Sequence, residues 1–145
     1  MKLLYQSLTE AYKKLRLFQY RSLFTRIKEK AGSLSATEAY AVDVIYILNG
    51  PTIKQFSDFI GISQPNASYK VSSLIAKGYI TKEISEDDRR EYHLYVTDKF
   101  FGYYGSNDSY LEPAVKRLES AHSPEEIELF CKMLHELADG LSAEE

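Results

Sequence analysis

Residues 80–97 constrain the fold of this chain more than any other segment. Two short runs of alternating apolar and polar residues flank a charged tip at residues 86–90, which reads EDDRR. Alternation with a period of two predicts paired strands, so the segment is expected to be a β-hairpin with two arginines at its tip. Taken alone, an ordinary hairpin with a solvated turn is an equal alternative. The two helical patterns that precede it favour a winged helix instead.

Local capping patterns mark these preceding helices. Residues 35–38 and 52–55 each read as a capping box, in which a hydroxyl and a carboxyl or amide group satisfy free backbone N–H groups reciprocally. Gly61 ends the second helix, and Ser63 caps the next with a proline in its first turn. The helix over residues 63–77 shows one polar face and one apolar face, which is typical of a recognition helix. Its predicted buried stripe is Ala67, Val71, Leu74 and Ile75.

The two ends of the chain are predicted to be helical. The first helix is expected from about Leu3 to Lys30, and the segment after Thr97 is a poor helix former that restarts near Pro113. A third capping box, at residues 123–126, opens the last helix. Its apolar residues follow a 3-4-3-4 spacing that predicts a coiled-coil-like seam in need of a partner helix. These residues are Ile127, Phe130, Leu134, Leu137 and Leu141.

Charge is distributed unevenly along the chain. The net charge is -3, but residues 1–51 hold eight basic and four acidic side chains, residues 52–97 hold six of each, and residues 98–145 hold four and eleven. We therefore expect the C-terminal end to face away from any nucleic acid. Residues 52–97, the predicted reading head, are neutral overall. Their affinity for DNA would therefore come from individually placed cations and from the pairing of two such heads.

Several classes of protein are disfavoured by what the sequence lacks. No apolar run approaches the roughly 20 residues of a membrane span. The N-terminus turns polar at Lys2, unlike a signal peptide, and the single Cys131 excludes an intramolecular disulfide. We expect a cytoplasmic protein. The sequence contains no nucleotide-binding loop or nucleophile elbow, and Cys131 with His135 would supply too few metal ligands. We expect neither an enzyme nor a metal or cofactor site.

The candidate DNA-binding residues lie on the helix over residues 63–77 and on the hairpin. Amide side chains suit adenine edges, whereas hydroxyls and lysines suit phosphates. Arginine at the wing tip can enter a narrow minor groove, and Asp88 is expected to orient the Arg90 guanidinium as an ion pair. For any one polar residue, a solvated helix face is the alternative. The predicted set is Ser63, Gln64, Pro65, Asn66, Ser68, Tyr69, Lys70, Lys77, Lys82, Asp88, Arg89 and Arg90.

The segment over residues 34–97 resembles the MarR family of bacterial transcriptional regulators. The resemblance is carried, in order, by residues 34–38 (LSATE), 61–64 (GISQ), 74–80 (LIAKGYI) and the wing motif at 88–90 (DRR). It implies a homodimer with interlocking terminal helices, two winged helices reading a pseudo-palindrome, and release by ligands or oxidants. This chain departs from the pattern after the wing, where Phe100 replaces a frequent glycine.

The resemblance defines the expected organisation of the chain. The fold class is mostly α with a small β-hairpin wing, in a single domain over residues 1–145. A winged helix-turn-helix region covers residues 33–97, and dimerisation helices cover residues 1–32 and 98–145.

Aromatic side chains are abundant, with 12 Tyr and 7 Phe. Several fall near the expected junction of the dimer core and the winged region, so we consider a pocket for a small aromatic or lipophilic anion. A packed aromatic core is the favoured alternative. The residues concerned are Tyr40, Tyr46, Phe100, Phe101, Tyr103 and Tyr104.

These observations predict a homodimeric transcriptional regulator that binds double-stranded DNA, with repression as the expected role and release by a small effector as an option. The alternative is a winged helix used for protein association without a DNA role, which the neutral charge of residues 52–97 leaves open.

Overall fold

The chain is predominantly helical, with one two-stranded hairpin. The computed structural model describes residues 1–27, 34–104 and 110–141, without the side chains of residues 23, 25–27, 103 and 104. This confirms the predicted fold class. Its elements are α1 (Lys2–Ile27), α2 (Ala36–Leu48), α3 (Ile53–Ile60), α4 (Gln64–Ala76), β1 (Ile80–Ile84), β2 (Tyr92–Val96), α5 (Asp98–Tyr104), α6 (Leu111–Ala121) and α7 (Pro124–Leu141).

Side-chain caps set where the three helices before the hairpin begin. Ser35 and Thr52 each accept a hydrogen bond from a backbone N–H in the first turn, and α2 and α3 both have complete capping boxes. The Ser63 hydroxyl accepts a hydrogen bond from the backbone N–H of Asn66 at 3.3 Å and so starts α4. At the end of α3, Gly61 adopts the left-handed conformation that terminates the helix. The predicted boundaries of these helices are confirmed.

One hydrophobic core joins α2, α3, α4, the hairpin and the start of α5. Phe56 and Leu94 are fully buried at its centre, and Tyr79 contributes its largest side chain. The exposed side chain of Ile75 corrects the predicted stripe of α4, which consists of three residues rather than four. The buried core residues are Leu34, Ala39, Ala41, Val42, Ile45, Phe56, Ala67, Val71, Leu74, Tyr79, Ile80, Leu94 and Phe100.

The hairpin is antiparallel and is anchored to the loop between α2 and α3. Its register pairs Ile80 with Val96 at one end and Ile84 with Tyr92 at the other. The backbone N–H of Leu94 donates to the carbonyl oxygen of Pro51 at 2.8 Å. This bond fixes the base of the wing against the helix-turn-helix region.

The first and last helices are largely exposed. Helix α1 begins one residue before the prediction, and its predicted end at Lys30 lies outside the described residues. Helix α6 contains Pro113 in its first turn, as the predicted restart requires. The capping box at Ser123 is confirmed, since Ser123 and Glu126 exchange two hydrogen bonds. Neither α6 nor α7 has a buried residue.

The chain divides into two compact units, Met1–Asn107 and Asp108–Glu145. The first unit contains the winged region with its core, and the second contains α6 and α7. No helix among the described residues has both the length and the apolar character that a bilayer crossing needs.

Candidate nucleic-acid interface

The amino end of α4 presents the residues that were predicted to read base edges. Ser63 uses its oxygen as an acceptor for the cap, so its O–H remains a donor for an outside acceptor. Gln64, Pro65 and Asn66 follow it, and all are exposed. The side-chain amides of Gln64 and Asn66 therefore lie in solvent at the end of a helix whose opposite face is buried.

The next turn of α4 continues this polar face. Ser68 and Tyr69 are exposed, and Tyr69 keeps 77% of its surface accessible. Lys70 is half-buried. Because Ala67 and Val71 on the opposite side are fully buried, the helix is fixed with this face outward. The structure brings this part of the predicted set together on one surface.

The wing tip is shaped by Asp88, in a way that differs from the prediction. The Asp88 carboxylate accepts a hydrogen bond from the backbone N–H of Arg90 at 2.9 Å, and it forms no ion pair with a described arginine. The expected orientation of the Arg90 guanidinium by Asp88 is therefore wrong. A carboxylate that binds the backbone two residues on forms an Asx turn. Arg89 and Arg90 are exposed with no carboxylate partner among the described residues, so both guanidinium groups can bind an external anion.

Lys82 lies in the middle of β1, where it pairs with Leu94. Its ammonium group lies 4.7 Å from the centre of the Tyr92 ring, which is within the range of a cation–π interaction. Lys82 itself is exposed. The contact leaves its charge on the surface of the hairpin and restricts where that charge can reach.

Lys77 is engaged within the protein, which differs from its predicted availability to phosphate. Its ammonium group donates to both carboxylate oxygens of Glu38 at 2.8 Å. Only 33% of the Lys77 side chain and 23% of the Glu38 side chain are exposed. Partial burial disfavours the charged carboxylate, but hydrogen bonds from Lys77 and Ser35 outweigh that effect and lower the pKa of Glu38.

Sequence reasoning missed two residues that organise this surface. Glu38 was recognised only as a capping residue, and its partner Lys77 lies 39 positions along the chain. His93 was not singled out for this role, yet its Nδ1–H donates to the carbonyl oxygen of Gly50 at 2.6 Å. Alternation places His93 on the hairpin face opposite Leu94, and this was the only available sign that it could contact the α2–α3 loop.

The predicted ligand-binding residues form an aromatic cluster in part. Tyr46 lies 5.3 Å from Phe100 and 5.7 Å from Phe101, measured between ring centres. Phe100 is 3% exposed, so it is a core residue rather than an open pocket wall. Tyr40 is exposed on α2. The side chains of Tyr103 and Tyr104 lie outside the described residues.

Metal-binding chemistry has little basis in the part of the chain that the structure describes. No three His, Cys, Asp or Glu side chains of these residues gather in a way that could hold an ion. Cys131 is an exposed free thiol.

Comparison with known proteins finds a family that resembles part of the chain and solved structures that share its fold. Residues 33–91 match the MarR family model. The chain is similar to FabT from Streptococcus pneumoniae, whose structure was solved in complex with DNA. The two are 25% identical over 95% of this chain and 97% of FabT, with a TM-score of 0.54. No curated protein sequence matches the chain.

Two further solved structures share the fold at lower identity. A MepR variant from an S. aureus clinical isolate has a TM-score of 0.63 at 15% identity, over 92% of this chain and 96% of MepR. The transcriptional regulator Tm0710 from Thermotoga maritima has a TM-score of 0.59 at 18% identity, over 98% and 96%. The match to the family model covers α2, α3, α4, β1 and the wing tip, and it ends before β2. Residues 33–91, which contain α4 and the wing tip, are thus similar to the MarR family.

Proposed function

We propose that this chain is a sequence-specific repressor that binds duplex DNA as a homodimer. In this proposal, α4 enters the major groove with Gln64 and Asn66 at the base edges, and the wing carries Arg89 and Arg90 to the minor groove. The observation that carries the proposal is the exposure of these four polar side chains on two elements anchored to one core. The DNA complex of the similar FabT protein supports it.

The charge pattern supports recognition through a few contacts. Residues 52–97 are neutral overall, with six basic and six acidic side chains. A general attraction to the phosphate backbone is therefore weak, and affinity depends on individually placed groups and on two heads acting together. We propose that Ser63, Ser68, Tyr69 and Lys70 contact phosphates on either side of the base-reading residues.

The unburied apolar side chains of the terminal helices support the proposal of a homodimer. Phe130 and Leu134 in α7 are 42% and 44% exposed, and Leu4 and Tyr5 in α1 are 74% and 72% exposed. Large exposed apolar side chains of this kind, repeated along a helix, are typical of an interface. The seam of α7 suits a second helix, and we propose that a second copy supplies it. Two heads would then read the two halves of a pseudo-palindrome.

Release by an effector would need a pocket at the aromatic cluster. There Tyr46, Phe100 and Phe101 pack against one another, with Phe100 buried and the other two rings partly exposed, and these mutual contacts favour a packed cluster over a ligand pocket. A salicylate-like compound should therefore leave the thermal midpoint unchanged. A rise in midpoint that depends on ligand concentration would instead establish a pocket.

Fluorescence anisotropy tests the proposed function. The purified protein is titrated into a labelled duplex from the region upstream of its own gene, and into a scrambled duplex, over a series of salt concentrations. We expect tighter binding to the first duplex, with an affinity that falls steeply with salt because phosphate contacts release counterions. Equal weak binding to both duplexes, or none, would favour the alternative of a protein-association module.

A further inference from the structure

The carboxyl end of α4 is tied to the amino end of α2 through one carboxylate. Lys77 is the C-cap residue of α4, and its ammonium group donates to both oxygens of Glu38 at 2.8 Å. Glu38 lies in the first turn of α2, where Oε1 also accepts the backbone N–H of Ser35 at 3.1 Å. The same group therefore caps α2 and holds the end of the proposed recognition helix.

The same end of α4 is held from a second side by residues that follow the wing. Lys99 donates to the carbonyl oxygen of Lys77 at 2.7 Å, and its ammonium group lies 4.6 Å from the ring centre of the buried Tyr79. The Thr97 hydroxyl donates to the carbonyl oxygen of Gly78 at 2.6 Å. The last turn of α4 is thus bonded both to α2 and to the segment that leaves the hairpin.

The Glu38–Lys77 pair differs from the ion pairs within single helices. The Lys54–Asp58 pair, for example, joins residues four apart with side chains 71% and 65% exposed. Exposed pairs of that kind contribute little to stability. Glu38 and Lys77 belong to different helices and are partly buried, so water screens their attraction less than that of an exposed pair, and two hydrogen bonds fix their geometry.

The pair lies beside a solvent-open pocket between α2 and α4. The pocket has a volume of about 140 Å³, with Ala41 on the α2 side and Ser73 and Leu74 on the α4 side. Glu38 and Lys70 also line it. Buried core side chains join the two helices, and the charged pair adds a hydrogen-bonded contact of defined geometry at the surface.

We infer that Glu38 is a positioning residue for DNA recognition, which fixes the angle of α4 against α2 by holding Lys77. The effect on DNA rests on the proposed function, whereas the effect on α4 itself does not. Lys77 in this role is a structural cation and leaves phosphate binding to other residues. A small rotation of α4 would move Gln64 and Asn66 away from the base edges that they read.

A direct phosphate contact by Lys77 predicts a different pattern. Removing Lys77 would then weaken binding to all duplexes and reduce the salt slope by about one, whereas Glu38→Gln would free the cation and strengthen binding. Positioning predicts that both substitutions weaken binding to the preferred duplex and leave the salt slope unchanged. It also predicts that the double variant is no worse than the more affected single variant.

The experiment uses Glu38→Gln, Lys77→Met and the double variant in the full chain. Glutamine retains the capping hydrogen bond to Ser35, since it serves at this position of a capping box. The matched control is Asp58→Asn, which removes a carboxylate from an exposed pair on α3. One readout is the ratio of affinities for the duplex upstream of the gene and for a scrambled duplex. The other is amide hydrogen exchange over residues 73–77 without DNA.

We expect the affinity ratio to fall about fivefold to tenfold in each single variant and in the double variant, with no change in the control. Exchange over residues 73–77 should quicken in all three variants. An unchanged ratio in both single variants, tighter binding by Glu38→Gln, or a double loss equal to the product of the single losses would overturn the inference. If the wild type binds neither duplex, the proposed function fails. Amide hydrogen exchange then tests the inference by itself. Exchange over residues 73–77 that is the same in the variants as in the wild type would overturn it.

Discussion

The winged region and the terminal helices use their apolar residues in opposite ways. In the winged region Phe56 and Leu94 have no accessible surface, whereas no residue of α6 or α7 is buried and Leu141 is 78% exposed. Both parts contain regularly spaced apolar residues. The difference indicates that the winged region completes its core within one chain, and it supports the proposal that a second copy covers the apolar side chains of the terminal helices.

The largest effect is expected where the head buries its core. Phe56→Ala should lower the free energy of unfolding by about 3–5 kcal/mol, because it leaves a cavity among fully packed side chains. Phe59→Ala, in the same helix but 65% exposed, is the control and should change it by less than about 0.5 kcal/mol. Chemical denaturation measures both. Equal losses of unfolding free energy in the two variants would contradict the assignment of Phe56 to the core of the winged region.

Substitutions in the terminal helices should change dimerisation and leave the fold of the winged region intact. Leu134→Lys places a charge on the apolar seam of α7, which we expect to weaken dimerisation by about 2–4 kcal/mol. Glu128→Lys introduces the same residue on the polar side of α7 as a control. Light scattering over a range of concentrations measures the mass. A Leu134→Lys protein that stays dimeric would contradict the assignment of α7 to the interface.

Gly50 tests the contact between the α2–α3 loop and strand β2 of the wing. A Cβ atom at this position would lie 2.7 Å from the Tyr95 ring, and φ is +81°. Gly50→Ala should therefore cost about 1–3 kcal/mol of stability through backbone strain and displacement of the ring. Gly61→Ala isolates the strain, since its φ is +71° and nothing lies near its added Cβ. Similar losses from both substitutions would show that the Tyr95 contact contributes nothing.

The smallest expected effect is the pH dependence of the Glu38–Lys77 pair. Hydrogen bonds from Lys77 and Ser35 outweigh partial burial and lower the pKa of Glu38 in the folded protein below that of an unfolded glutamate. The pair therefore stabilises the winged region fully above the pKa of an unfolded glutamate and loses its contribution as pH falls through the lowered pKa. The difference in unfolding free energy between wild type and Glu38→Gln, about 1 kcal/mol or less at pH 7, should shrink as Glu38 is protonated in acid. A difference that persists in acid would contradict this origin.

Short-range patterns made most of the head predictable. Capping boxes involve residues three apart, and the strands of the wing alternate over neighbouring positions, so the sequence contains both directly. The boundaries at Ser35, Thr52 and Ser63 followed from these patterns. The family resemblance predicted how these helices and the hairpin are arranged in the fold.

Contacts between distant residues were not predictable in the same way. The Glu38–Lys77 pair joins residues 39 positions apart, and nothing at either position indicates the other. Asp88 was correctly placed in the wing, but its partner is the backbone of Arg90 and not its guanidinium, since a short side chain reaches the nearer donor. Ile75 fits a helical period, but it lies at the edge of the stripe formed by Ala67, Val71 and Leu74, and 36% of it is exposed.

DNA recognition by the head is the central claim, and Arg90→Ala tests it most directly. Fluorescence anisotropy at one salt concentration compares this variant with wild type on the duplex upstream of the gene. Arg117→Ala removes the same charge from α6 as a control, with light scattering to confirm its mass. We predict a loss of about 1–3 kcal/mol of binding free energy for Arg90→Ala and none for the control. Unchanged affinity of Arg90→Ala on a duplex that the wild type prefers would contradict the wing's part in the interface.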